Sequence, residues 1–202
     1  MFELILNSSS PRRKKLLQEA GYDFAVDPVK VSEIIDENLK MTEAIQGVAR
    51  QKSVAYVDSG KLPESGSFLV LSGDTMVVYK DQALGKPKTK DQAFDFLRQL
   101  SGNEHSVITA VCLYDSVKSV HHSFYSETKV WFHELSDQNI WDYIDTGEPM
   151  DKAGAYGIQG QGGKLVARTS GSWSNVVGLP MEDLDRFIER HGWNLRKTSI
   201  AE

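Results

Sequence analysis

Apolar positions fall in short blocks along this chain, and their spacing switches between strand-like and helix-like. The run Phe2 to Leu6 passes through Asn7-Ser8-Ser9-Ser10 into Pro11 and then RRKKLLQEAGY. Ser10 can cap the free amides of a helix, Pro11 suits its first position because it has no amide to lose, and Gly21 is a natural stop. Leu16, Leu17 and Ala20 form the inner face, so the opening reads as strand, tight turn and helix. A second helix is predicted over Thr42 to Tyr56, with Ile45, Val48, Ala49 and Lys52 on neighbouring turns. The run FLVLSGDTMVVY reads as a buried strand interrupted at Ser72-Gly73-Asp74. A helix over Asp91 to Leu100 follows the loop DQALGKPKTK, and HSVITAVCLY and SVHHSFYSETKVWF then read as an antiparallel hairpin turning at Asp115-Ser116. A short helix after Ser136, a polar Gly-rich loop from Gly147 to Gly163, a strand at KLVAR and a helix near Met181 to Arg190 complete the pattern. Alternating strands and helices around a central hairpin predict an α/β fold with a mixed sheet.

No repeat, low-complexity tract or Pro/Ser-rich linker divides the 202 residues, and the whole chain is expected to form one domain. With 23 Lys+Arg against 28 Asp+Glu the net charge is −5, which offers no footprint for nucleic acid or an anionic membrane. No run approaches the roughly 20 apolar residues of a membrane span. The first residues place their basic group after the apolar stretch, the reverse of a secretory signal, so a soluble cytoplasmic protein is expected. The single Cys112, inside VITAVCLY, reads as a buried core thiol. Adjacent His121 and His122 point to opposite faces of a strand and cannot readily share one ion.

Candidate chemistry begins at SSSPRR. Arg12 and Arg13 lie in the first helical turn, where they oppose the helix dipole unless an anion such as a phosphate chain offsets them; a solvated basic turn is the plain alternative. Both are expected to pack little. Asp74 ends an apolar stretch, where a carboxylate either binds a cation, takes a proton or caps its own turn. Asp36-Glu37, just before the second helix, is a solvated pair, an N-terminal cap or an acidic pair near a cation. Lys52, on an apolar helix face, either snorkels to solvent or reaches a polar site, and Lys86 lies in a Gly-preceded loop that could be mere connection. Gln159 sits among small residues in GAYGIQGQGG, where close backbone approach and a side-chain amide suit a base edge; a plain surface loop is the alternative. Walker and Rossmann glycine motifs are both lacking.

Taken in order, LNSSSPRR, VARQKS, LSGDTMV, GKPKTKDQAFDFLRQLSG, HSVITAV, DKAGAYGIQG and NVVGLP resemble the Maf family of nucleoside triphosphate pyrophosphatases, over nearly the whole chain. DKAGAYGIQG and SGDT are more similar to the branch acting on dTTP and UTP than to the branch acting on 7-methyl-GTP. The resemblance implies the Maf/inosine-triphosphatase-like mixed α/β fold, elongated with a cleft between two lobes and often dimeric. It implies hydrolysis between the α and β phosphates with a divalent cation, Mg²⁺, Mn²⁺ or Co²⁺. Carried over residue by residue, it makes Asp74 and Lys52 catalytic. Ser8, Arg12, Arg13, Thr75, Lys86 and Gln159 become substrate-binding, and Glu37 with Asp74 metal-holding. Two departures stand out, Asn7 where many relatives read LAS and Gly73 where most read GADT; Gly73 is expected to loosen a loop carrying Asp74. The family's association with septum formation supplies a rival reading, a nucleotide-binding regulator, and a phosphatase or kinase is a third.

Overall fold

The computed structural model describes residues 1–36 and 38–197. Its strands are β1 (Glu3–Leu6), β2 (Phe24–Val26), β3 (Phe68–Tyr79), β4 (Gln82–Leu84), β5 (Glu104–Asp115), β6 (Val120–Phe132) and β7 (Val166–Ser170). The helices are α1 (Pro11–Glu19), α2 (Met41–Asp58), α3 (Lys90–Leu100), α4 (Asp137–Asp145), α5 (Trp173–Val177) and α6 (Met181–Arg190). The strands form one seven-stranded sheet in the order β2-β1-β3-β5-β6-β7, with β4 paired to β3 off that path. β1 runs parallel to β2 and β3, while β3–β4 and β6–β7 are antiparallel, so the sheet is mixed as the pattern predicts. No helix among the described residues is long and apolar enough to cross a membrane.

Local chemistry explains three of the helix starts. Ser10 accepts a bond from the Arg13 amide at the start of α1, with Pro11 at its first position. Thr89 caps α3, and Ser136 with Asn139 forms a capping box on α4.

The chain divides into two compact units. The first comprises 1–74, 109–126 and the chain from Gly178 on; the second comprises 75–108 and 127–177. In the first, Ile5, Tyr56, Phe68, Val70 and Tyr114 pack together, while the second buries Leu97, Val130, Phe132, Ile140, Ile144 and Tyr156 among its core residues. Cys112 is buried, as expected. His121 meets Ser53 Oγ at 3.0 Å, whereas His122 lies against His191 and Trp193, so the two rings do part company.

Three expectations need correction. β3 is continuous through Ser72-Gly73-Asp74. Ser72 is fully buried there because its hydroxyl accepts a bond from Asn7, which offsets the cost of a polar group in a strand. Gly73 permits close approach rather than a break: a Cβ there would stand 3.0 Å from the Ala110 carbonyl oxygen. β4 has no counterpart in the pattern, because its turn places Lys80 and Asp81 at φ 49° and 60°, a primed hairpin geometry without the usual Asn-Gly signal. The stretch Gly147 to Gly163 is wound into short 3₁₀ turns at Glu148–Asp151, Ala153–Ala155 and Gly160–Leu165.

One of those turns is held against β3. Gly154 has φ +66°, and a Cβ on it would stand 2.8 Å from Val77 Cγ1. Gly154→Ala therefore combines left-handed strain with overpacking, together about 2–4 kcal/mol. Thermal unfolding should show a melting temperature lower by roughly 5–12 °C; an unchanged value would mean the turn is free to move off Val77.

Candidate active site

In the first unit, the end of β1, the first turn of α1, the middle of α2 and the Asp74 position of β3 come together around Lys52. Its ammonium donates to Asp74 Oδ1 at 2.7 Å and stands 2.8 Å from Glu33 Oε1. The Lys52 and Asp74 side chains are 16% and 18% exposed, and that of Glu33 is 48% exposed. Lys52 therefore does not snorkel; it bridges two carboxylates that come from different segments.

Those segments are held by side-chain amides. Asn7, only 3% exposed, donates from Nδ2 to the Lys52 carbonyl at 2.8 Å and to Ser72 Oγ at 2.9 Å, and its Oδ1 accepts from the Val29 amide at 2.8 Å. One carboxamide thus joins the helix carrying Lys52, the strand carrying Asp74 and the segment leading to Glu33. Gln51 clamps the same segment further on, accepting from the Ile34 amide at 3.0 Å and donating to the Ile34 carbonyl at 2.7 Å. Every one of these bonds is to backbone or to a buried hydroxyl, so losing the amide would strand polar groups.

Arg13 departs from expectation, being 8% exposed rather than loosely packed in its turn. Its Nε donates to the Gly178 carbonyl at 2.8 Å and its Nη1 to Ser8 Oγ at 3.2 Å. Burial pulls its affinity for the proton down, Asp74 pulls it back up, Arg12 lowers it again and Glu33 raises it, so all four charges share one field. Gly73 packs here as well, with a Cβ position 3.5 Å from Arg13 Nε. It does not loosen a loop; it gives the guanidinium room beside a continuous strand. Arg12 is half-buried.

The structure therefore brings Ser8, Arg13, Lys52 and Asp74 together and adds Glu33, which the pattern did not single out. Glu33 is one of three acidic residues in VKVSEIIDENLK, which lacks helical or strand periodicity, and only its reach to Lys52 distinguishes it. Glu37 lies outside the described residues. Thr75, Lys86 and Gln159 belong to the second unit: Thr75 follows Asp74 in β3, Lys86 is exposed between β4 and α3, and Gln159 is half-buried just before the Gly160 turn.

Two carboxylates within reach of one ammonium are hard oxygen donors of the kind that Mg²⁺ uses together with phosphate oxygens and water. No third carboxylate, His or Cys completes a metal cluster among the described residues. The donor set thus fits a cation whose remaining ligands come from substrate and solvent.

A half-buried lysine-carboxylate bridge in the field of Arg13 is thus the candidate site on this mixed α/β scaffold. The chain belongs to the Maf family: the model of the Maf-like protein family matches residues 3–191. It is 52% identical over 187 residues to a protein of Bdellovibrio bacteriovorus named dTTP/UTP pyrophosphatase, covering 93% of this chain and 97% of that one. Proteins of the same name from a Geobacillus species and from Caldicellulosiruptor bescii are 46% identical over 193 residues and 41% identical over 200 residues. They cover 96% and 99% of this chain, and the whole of their own lengths.

Arg13→Ala should leave the Gly178 carbonyl and Ser8 hydroxyl short of a donor, costing about 1–3 kcal/mol and roughly 3–10 °C of melting temperature. Arg12→Ala, at a half-buried position, should lower the melting temperature less than Arg13→Ala. Calorimetry of the two variants side by side checks this, and equal stability would contradict the structural role of Arg13.

Proposed function

We propose that this protein hydrolyses nucleoside triphosphates between the α and β phosphates, releasing the monophosphate and pyrophosphate, with dTTP and UTP as its substrates. The observation that carries the reading is the Lys52 ammonium held between Asp74 and Glu33 in the field of Arg13. The names of the relatives support the choice of bond and base.

In this reading Arg12 and Arg13 neutralise phosphate oxygens, and Ser8 sets the direction of the Arg13 fork. Asp74 accepts the proton of a water whose oxygen forms a bond to the α phosphorus as the bond to the bridging oxygen breaks. Pyrophosphate leaves with the electron pair of that bond. Lys52 holds the carboxylate in place by donating to its Oδ1. A divalent cation, Mg²⁺, Mn²⁺ or Co²⁺, would be held by Asp74 and Glu33, and when bound it supplies charge neutralisation of the phosphates. Gln159 reads the pyrimidine edge with its amide, while Thr75 and Lys86 add substrate contacts. A cytoplasmic location and a homodimer belong to the same reading.

The test is a panel of dTTP, UTP, dCTP, dATP and dGTP, with pyrophosphate and orthophosphate measured separately and each of the three cations supplied in turn. Pyrophosphate should be the product, with dTTP and UTP favoured at least about tenfold, well inside what a hydrogen-bonded site achieves. Orthophosphate alone, or equal rates on all bases, would overturn the proposal. Asp74→Asn is nearly isosteric and should lower turnover about 10²–10⁴-fold while the fold persists; near-normal pyrophosphate release would move the catalytic carboxylate to Glu33.

A further inference from the structure

We propose that Glu148 is the positioning residue for base selectivity, acting through the glycine-rich loop that carries Gln159; this rests on the reading of Gln159 given above. Glu148 opens the first 3₁₀ turn after Gly147. Its Oε1 accepts from the Tyr143 hydroxyl at 3.0 Å and from the Gly162 amide at 3.2 Å, and its Oε2 accepts from the Gln161 amide at 3.1 Å. Its own carbonyl accepts from Lys152 Nζ at 2.6 Å. A single carboxylate therefore fixes two consecutive amides, starting two residues beyond Gln159, and ties them to α4 through Tyr143.

The backbone around it leaves no slack. Gly160 has φ +74°, and a Cβ on it would stand 2.9 Å from Glu148 Oε2. A Cβ on Gly162 would stand 2.5 Å from the Tyr143 hydroxyl, and one on Gly163 would stand 2.6 Å from the Ile158 carbonyl oxygen. The glycines let the chain fold back onto the carboxylate, and the carboxylate replaces the strand or helix partners that the loop lacks. Gln159 stands at the entrance of this turn with extended backbone, φ −86° and ψ 153°. The turn that Glu148 holds thus sets the backbone position from which the Gln159 side chain departs.

The chemistry requires a carboxylate. Two ionised oxygens can accept from three donors at once, whereas a carboxamide brings one acceptor and turns its NH₂ toward an amide N–H. Burial, together with the neighbouring Glu148, pushes the Tyr143 phenol up from its ordinary value, so the hydroxyl stays neutral and keeps donating.

The experiment compares Glu148→Gln, Tyr143→Phe and Gln159→Ala with wild type in pyrophosphate release from dTTP, UTP, dCTP and dGTP, alongside thermal melting. For Glu148→Gln the ratio of kcat/KM for dTTP to that for dGTP should fall about tenfold, with most of the loss in KM for dTTP. Tyr143→Phe removes one of the three donors and should give a smaller loss in the same direction, about two- to threefold, and it carries the test if Glu148→Gln does not fold. Wild-type selectivity and KM in Glu148→Gln, with selectivity lost in Gln159→Ala, would overturn the role of Glu148 alone. A fall in kcat at unchanged selectivity would equally overturn it, since that is what a merely structural residue gives. Unchanged selectivity in Gln159→Ala would instead overturn the base-reading role on which this inference rests.

Discussion

The contact on which the rest of the site depends is the Lys52 ammonium held between Asp74 and Glu33. At these distances each contact has a gross attraction of about 6 kcal/mol at an effective dielectric of about 20, before the cost of desolvation. That cost is smallest for Glu33, which is half exposed and correspondingly screened, and largest for Lys52 and Asp74. The bridge therefore contributes little net stability. Two carboxylates from different segments would not stay this close without a cation between them. Lys52 keeps them converged, so a substrate or ion arriving there meets a prepared geometry instead of having to organise one.

Preparation of this kind needs supports whose own bonds are satisfied. Asn7 uses both of its amide protons and its carbonyl oxygen on three segments, and Gln51 uses both ends of its carboxamide on one residue of the Glu33 segment. A partly satisfied network would be worse than an apolar core, whereas this one closes on backbone groups that cannot drift. Arg13 belongs to the same frame: one nitrogen holds the Gly178 carbonyl and another holds Ser8, which leaves the guanidinium fixed in the field of Asp74 and Glu33. Part of this arginine is structure, and the charge it presents is the part available for chemistry.

What the sequence reveals follows from how local each cause is. The cap at Ser10-Pro11, the helix over Asp91 to Leu100 and the buried Cys112 are set by near neighbours, and the pattern finds them. Asp74 and Lys52 are visible as polar groups misplaced in apolar settings. Glu33 is not visible, because its role comes from a salt bridge to Lys52, 19 positions away in sequence, and nothing in its own segment marks it. The interruption expected at Ser72-Gly73 fails for the same reason: Asn7, 65 residues away, satisfies Ser72, and Ala110 explains the glycine. Arg13 looks solvent-bound in a basic run until its partner at Gly178, 165 residues on, is known.

In the proposed reading, the two kinds of site chemistry in this chain answer different questions about a ligand. Triphosphate groups are alike on every nucleoside, so arginines and a lysine-carboxylate bridge can recognise that a polyphosphate is present but cannot tell which base it bears. Discrimination among bases must come from neutral hydrogen-bonding groups whose direction is fixed, because a freely turning amide can present donor or acceptor to any partner. A glycine-rich loop is the least suitable scaffold for fixing a direction, since each glycine adds freedom. The Glu148 carboxylate supplies what the loop lacks, binding the Gln161 and Gly162 amides to the Tyr143 hydroxyl. The glycines that make the turn possible and the half-buried carboxylate that makes it rigid are therefore one device, since each glycine adds freedom that the Glu148 contacts remove.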